Sequence, residues 1–391
     1  MKIPERFKIN TTSFHFYWTK GIGASLLAKL PTTPDLAQAA QFIPLLYQYD
    51  KACDQLVEHL HLKIGFAKGQ QLIRDYMCGK TIEADYVGLI SDFMDTVILE
   101  PEWLDWQKIQ QGVELSQRSG LTGLIVLRDY CLMGGYESSA INKPLIFTGA
   151  LKKGAVKRLT ETVTFWVDIT ANDALKKGGI GIEAILLTRC IHSFARLNIL
   201  KHGDWDSDKW GIPLNTWDML ATNLGFSLVY LIGLKQMKFN ILKPEIEGLF
   251  HLWKYVGTLL GIPLNFLTDS EEDAIKSLYY WTMTQKEGDQ DSVALAQALM
   301  EEPVNAAYPR SKFGRKLMRE VHLYYNNYLL GAYSCALLGL EKTTIGKIAY
   351  FNILKNKKEN SQILKDEVRQ QQIRKGRKVH EGVKQIYLTY N

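Results

Sequence analysis

The sequence predicts an all-α protein, and three observations carry the prediction. Apolar residues recur at three- and four-residue spacing along most of the chain. No stretch alternates apolar and polar residues with a period of two, and no Asn-Gly pair joins two such stretches as a hairpin would. Pro and Gly mark off the periodic stretches, as breakers between helices do.

Taken in order, helical periodicity covers Gln41–Gln48, Ala52–His61, Tyr86–Ile98, Trp103–Arg118, Leu121–Met133 and Val156–Asp168. It continues over Ile182–His202, Thr216–Met237, Lys243–Leu260 and Lys316–Leu338. Three starts have capping signals: Thr81 with Glu83, the pair Pro101-Glu102, and Asn215-Thr216-x-Asp218. Gly178-Gly179-Ile180-Gly181 is a flexible opening before a long helix. The pentapeptide GIPLN occurs twice, at Gly211–Asn215 and Gly261–Asn265, and reads as one helix-ending solution used twice. Glu287–Ser292 is polar and reads as a loop.

The simplest parse is one large helical domain. Residues 1–80 form a peripheral helical segment, 81–350 the main body and 351–391 a basic C-terminal tail. No linker rich in Ser or Pro divides them.

With 391 residues, 46% of them hydrophobic and 23% charged, the chain can bury a large core and enclose a ligand. The net charge of +6 is local. Residues 355–391 hold ten Lys/Arg against four Asp/Glu, which leaves 37 of each sign in the first 354. A neutral body argues against nucleic acid as a partner. The tail reads either as a weak contact with an anionic membrane surface or as a solvated helix. Five cysteines with no CxxC exclude a disulfide scaffold and a cysteine zinc site. The first twenty residues have no apolar secretory core, and no uninterrupted apolar run reaches about 18 residues. A cytoplasmic protein is the expectation. The longest apolar stretch, Leu224–Leu234, reads as a buried core helix.

Eight histidines are present, and none belongs to an HExxH or comparable metal-binding pattern. His59 and His61 fall on roughly opposite sides of a helix, so they cannot easily share a metal. His192 differs from the rest. Arg189, His192 and Arg196 stand at i−3, i and i+4 on one face of an otherwise apolar helix. A deep histidine flanked by arginines suits a haem, with imidazole on iron and guanidinium on a propionate. A buried structural histidine beside ion pairs is the alternative. A second set, Arg158, Glu161 and Thr162, stands at i, i+3 and i+4. It reads as the polar wall of an apolar pocket or as an exposed RxxE pair. Phe165, Trp166 and Phe226 are available as pocket walls or as core.

The order of these pieces carries a resemblance. Pro101-x-Trp103, Thr148-Gly149, Arg158-x-x-Glu161-Thr162, Gly178-Gly179-x-Gly181 and Arg189-x-x-His192-x-x-x-Arg196 come first. Gly211-x-Pro213-Leu214-Asn215-x-x-Asp218, Phe226-Ser227 and the run from His251-Leu252-Trp253 to Gly261-Ile262 follow. Together they resemble the latex clearing protein superfamily, which includes the mycophenolic acid pathway oxygenase. The resemblance covers about Glu100 to Gly261 and is absent from the first 80 and last 40 residues or so.

The resemblance implies a b-type haem in a helical fold with a globin-like core, with dioxygen as co-substrate. His192 matches the proximal ligand, and Arg196 the arginine one turn later. Arg158 and Thr162 match the polar pair on the oxygen side. His251 matches a further histidine of structural use. Glu161 stands where the rubber-cleaving enzymes have lysine, which points away from polyisoprene. The expectation is a haem b oxygenase acting on a smaller apolar substrate, isoprenoid or lipid-like. Arg158, Glu161 and Thr162 would be catalytic, with Glu161 as distal acid or base. His192, Arg189 and Arg196 would bind the cofactor, His192 through the metal. A haem- or apolar-ligand-binding protein without turnover is the rival reading.

Overall fold

The computed structural model of the chain describes residues 2–9, 14–149, 151 and 154–390. Among them there is no strand, and a single isolated bridge pairs Ser138 with Glu287. The all-α expectation holds.

The helices that position the site are α1 (Lys51–His59), α2 (Phe66–Met77), α3 (Ala84–Asp95), α4 (Trp106–Arg118), α5 (120–135) and α6 (Ser139–Phe147). Next come α7 (Ala155–Ile169), α8 (Ile180–His202), α9 (Thr216–Gln236), α10 (Lys243–Leu259), α11 (Glu271–Thr282) and α12 (Gln290–Met300). The chain ends with α13 (Lys312–Leu337), bent at Gly331, then α14 (Tyr350–Glu359) and α15 (Asp366–Tyr390).

Local chemistry sets several ends differently from the sequence expectation. Asn215 caps α9 as expected, its side chain accepting from the Asp218 N–H at 3.0 Å. Thr81 does not open α3. Glu83 occupies the cap position, with no side-chain bond, and the helix begins at Ala84. Pro101-Glu102 does not open α4 either. Asp105 is the cap, accepting from the N–H groups of Gln107 and Lys108. Part of the expected loop Glu287–Ser292 is helical, because Asp289 and Ser292 close a capping box that starts α12. Gln41–Gln48 lies largely within a 3₁₀ helix, Leu36–Leu46. The stretch Ala52–His61 breaks at Leu60, which leaves His59 exposed and His61 buried.

Two long helices contain a wide π turn, at Leu127–Leu132 in α5 and Gly225–Val229 in α9. The two turns pack against each other in the middle of the fold. The helix Thr216–Gln236 is long and apolar enough to cross a membrane by length and composition, and 72% of that window is buried inside the fold.

Helices α4 and α10 cross in close backbone contact. A Cβ on Gly112 would stand 2.4 Å from the Gly248 carbonyl oxygen, and one on Gly248 would stand 2.6 Å from the Gly112 nitrogen. Only glycine at both positions lets the two backbones meet. The largest fully buried side chains are Trp166, Trp217 and Trp253. Trp253 stacks on Phe226 with centroids 4.6 Å apart, and Trp217 stacks on Phe42 at 4.2 Å.

Both chain ends reach the core. Arg6 is buried and forms a bidentate pair with Asp218, both contacts at 2.7 Å, so the first 80 residues contribute to the interior as well as the periphery. The C-terminal helix α15 lies against α4, α5 and α7. Its His380 is buried against Trp166, and Arg377 donates to the Val167 carbonyl at 2.7 Å. The end of the basic tail is thus a docked helix.

Candidate active site

Helices α7 and α8 run side by side and wall a cavity of about 1500 Å³. That exceeds the roughly 300–1,000 Å³ usual for a single small ligand. On α7 the cavity face carries Arg158, Glu161, Thr162 and Phe165, a spacing of i, i+3, i+4 and i+7. On α8 it carries Ala184, Thr188, Ile191, His192 and Ala195. Of the two sets singled out in the sequence, His192 and the α7 residues Arg158, Glu161 and Thr162 therefore face one space. Phe226, from the π turn of α9, also lines it. Trp166 does not: it turns away into the core and packs on His380.

His192 has no ion-pair partner, and its Nδ1 is buried without a hydrogen bond. Burial, with the nearby Arg196 charge, pushes the imidazole down to about 4, so the ring is neutral at physiological pH. A neutral imidazole with free nitrogen is the form that ligates a metal. Among the described residues, no group of three or more His, Cys, Asp or Glu comes together to hold a bare metal ion. A prosthetic group that brings its own metal and needs one protein ligand fits this donor set, and a haem is such a group. The volume beside His192 fits it too.

The flanking arginines face elsewhere. Arg189 makes a bidentate pair with Asp50, at 2.5 and 3.0 Å, and donates to the Leu259 carbonyl at 3.3 Å. Arg196 pairs with Asp54, the closest contact being 2.5 Å, and donates to the Leu214 carbonyl and the Ser193 hydroxyl, each at 3.0 Å. Asp50 and Asp54 are one turn apart at the start of α1, where Asp50 also caps the helix. Two buried ion pairs therefore clamp α1 to α8 on either side of His192. Each guanidinium charge is already matched. For either to reach a cofactor carboxylate, an aspartate must give up its partner.

Arg158 is half-buried and donates to the Tyr136 hydroxyl at 2.6 Å, with its guanidinium 5.3 Å from the centre of that ring. No ion pair joins it to Glu161, so the exposed RxxE pair does not form. The Thr162 hydroxyl donates back to the Arg158 carbonyl at 3.0 Å, which fixes its lone pairs toward the cavity side of the helix. Glu161 lines the cavity but is exposed.

Sequence inspection missed Glu137, a buried acid in the cavity wall that, unlike the buried Asp168 and Asp218, has no ion-pair partner among the described residues. Burial pushes the Glu137 carboxyl up to about 7, against a smaller lowering by a hydrogen bond with Ser334. Beside it, Tyr17 and Tyr130 share a hydrogen bond, and burial holds both phenols well above the ordinary range. Its only sequence signal is an acid among small and aromatic residues in Gly134–Ser139. His251 stands outside the cavity. Its Nε2 accepts from the Asp105 N–H at 2.9 Å and its ring meets Trp103 edge to face, which pins the start of α4 to α10.

Comparison with known proteins extends this geometry. Residues 118–354 match the family described as ER-bound oxygenase mpaB/B′/rubber oxygenase, catalytic domain. In fold, the chain is similar to a structure of latex clearing protein in its closed state. The TM-score is 0.62 at 16% identity, over 91% of this chain and 93% of that one. No curated protein matches.

Proposed function

Because this chain belongs to the mpaB-type and rubber oxygenase family through its catalytic domain, we propose that it is a haem b-dependent oxygenase acting on an apolar substrate of isoprenoid or lipid-like kind. The observation that carries the reading is His192: a neutral, unpartnered imidazole at the wall of a large, mostly apolar cavity. When bound, haem supplies activation of dioxygen. The chain's own residues do the rest. His192 holds the metal. Arg189 and Arg196, through Asp50 and Asp54, hold the helix that carries it and act as positioning residues. Arg158 offers donors and Thr162 an acceptor oxygen to polar atoms in the cavity, and Phe165 and Phe226 exclude water and align an apolar chain. Glu137 is poised near neutrality to take or return a proton at its carboxylate, the property expected of a general acid or base. Glu161, on the same wall, is the second candidate for that role, with its charge in solvent.

The test is reconstitution with haemin. The purified chain should take up one equivalent, with a Soret band and a b-type pyridine haemochrome, since no CxxCH is present for covalent attachment. His192→Ala should lose most of the haem while His251→Ala keeps it. Folded protein that never takes up haem ends the reading. Haem uptake without oxygen consumption on any apolar alkene would turn it toward a carrier.

A further inference from the structure

The part of the surface most at odds with a water-facing role lies far along the chain from the cavity residues of α7 and α8. A short 3₁₀ helix, Ile345–Ala349, leads into α14. On this segment Ile345, Ile348, Phe351 and Leu354 are all exposed, Phe351 at 70%, and Leu364 follows just beyond α14 at 83%. Ile348, Phe351 and Leu354 repeat at three-residue spacing and so share one outward face. The opposite face, with Ala349, Ile353 and Asn356, is buried and holds the segment to the body. The anchoring is specific: Tyr325 bonds the Ala349 carbonyl at 3.3 Å, Asn356 bonds the Met237 carbonyl at 3.1 Å, and Gly346 fits against Glu320. The segment is therefore amphipathic twice over, with one apolar face used for folding and another left over. At the start of α13, Phe313 is also exposed, at 77%, next to Lys312 and Lys316 in the chain.

Charge decides what this face suits. Residues 345–365 hold five exposed lysines, at 347, 355, 357, 358 and 365, against one acid, Glu359. A second copy of the chain would bring the same positive charge to the same place and be repelled. A surface of anionic lipid takes both components: rings and aliphatic chains enter the headgroup boundary, and lysines reach the phosphates around them. By contrast, the densest basic run of the sequence, Arg374-Lys375-x-Arg377-Lys378, sits on α15, where Arg377 turns inward to the Val167 carbonyl.

We propose that the Ile345–Leu364 face docks the protein on an anionic membrane surface, with Phe351 and Leu354 inserted and the α14 lysines at the headgroups. The inference does not depend on haem or on turnover.

Co-sedimentation of the full chain with vesicles tests it. Binding to phosphatidylcholine vesicles containing phosphatidylserine, at low salt, should exceed binding to phosphatidylcholine alone. Phe351→Ser with Leu354→Ser should reduce it at least about tenfold, given the apolar area lost from the interface. Lys347→Glu, Lys357→Glu and Lys358→Glu together should remove the preference for anionic lipid, at roughly fivefold per lysine. Circular dichroism and the thermal midpoint establish that each variant is folded, and the two variants report independently. Equal binding of wild type and both variants overturns the proposal. So does equal binding to both vesicle types. A wild-type dimer in the absence of lipid that Phe351→Ser with Leu354→Ser makes monomeric assigns the face to a second copy instead and also overturns it.

Discussion

Arg196 closes a bidentate ion pair on Asp54, 142 residues away in the chain, one turn after His192 on the same helix. The pair is buried, so neither partner is easily removed alone. Asp54→Ala would leave a guanidinium without its counter-charge, at a cost of about 3–5 kcal/mol. Urea denaturation should show that loss, and haem should dissociate faster. Replacing both partners with apolar residues should recover part of the stability. A near-neutral Asp54→Ala would mean that the clamp does not hold α8.

Tyr136 is the acceptor that orients Arg158. Tyr136→Phe removes one hydrogen bond to a charged group, a change of about 1.5–3 kcal/mol when buried and less at this half-buried site. We expect haem uptake to be unchanged and turnover to fall, because the guanidinium swings free in the cavity. Unchanged turnover would place Arg158 outside the chemistry.

Glu137 links the site to pH. Its folded-state carboxyl is raised to about 7, above the unfolded value near 4.5. A raised acid favours the folded state below the unfolded pKa, and that contribution is lost as pH rises through the folded one. Above neutrality the buried carboxylate costs up to about 3 kcal/mol. Glu137→Gln should therefore raise the thermal midpoint at about pH 8 relative to wild type, and much less at about pH 5. An equal effect at both would show that the carboxyl does not titrate in this window.

On the acid side, His61, His192 and His380 are each pushed down to about 4 by burial. For a lowered histidine the stabilising contribution is complete above the unfolded pKa, about 6.5, and is lost as pH falls through the folded one. Unfolding between these limits should take up close to three protons from these rings. A denaturation midpoint that is flat across the interval would contradict their burial as neutral groups.

The docking of α15 depends on Gly376, where an added Cβ would stand 1.9 Å from the Gln117 carbonyl oxygen. Gly376→Val should push the helix off α4 and expose His380 and Trp166, costing more than about 3 kcal/mol. Limited proteolysis should then cleave within residues 366–390 first. Resistance equal to wild type would mean that the helix is not held there.

What could be read in the sequence, and what could not, follows the range of the interactions. The lengths of α7 and α8, the cap at Asn215 and the facing of Arg158 with Thr162 are local matters, and periodicity shows them. The start of α3 at Ala84 and the helical turn hidden in Glu287–Ser292 turn on which of several polar residues caps, which spacing alone does not decide. The partners of Arg189 and Arg196 lie 139 and 142 residues upstream, and no pattern announces them. The arginines look unclaimed in the sequence, whereas each is matched in the fold. Glu137 became visible only once its burial was known. Helices α2, α6, α11 and α12 went unread because their apolar faces are broken by polar or small residues, or by Pro144 inside α6.

The two π turns fix more than a local bulge. A helix that carries one has gained a residue without gaining a turn, and the surplus widens the coil just where Tyr130, Cys131 and Phe226 look into the cavity. Chain length is thus a dial on the cavity that is separable from the fold. Deleting one residue from Leu127–Leu132 or Gly225–Val229 would return that helix to a regular winding, with its ends and their neighbours in register. The wall would then close inward while the scaffold stayed as it is.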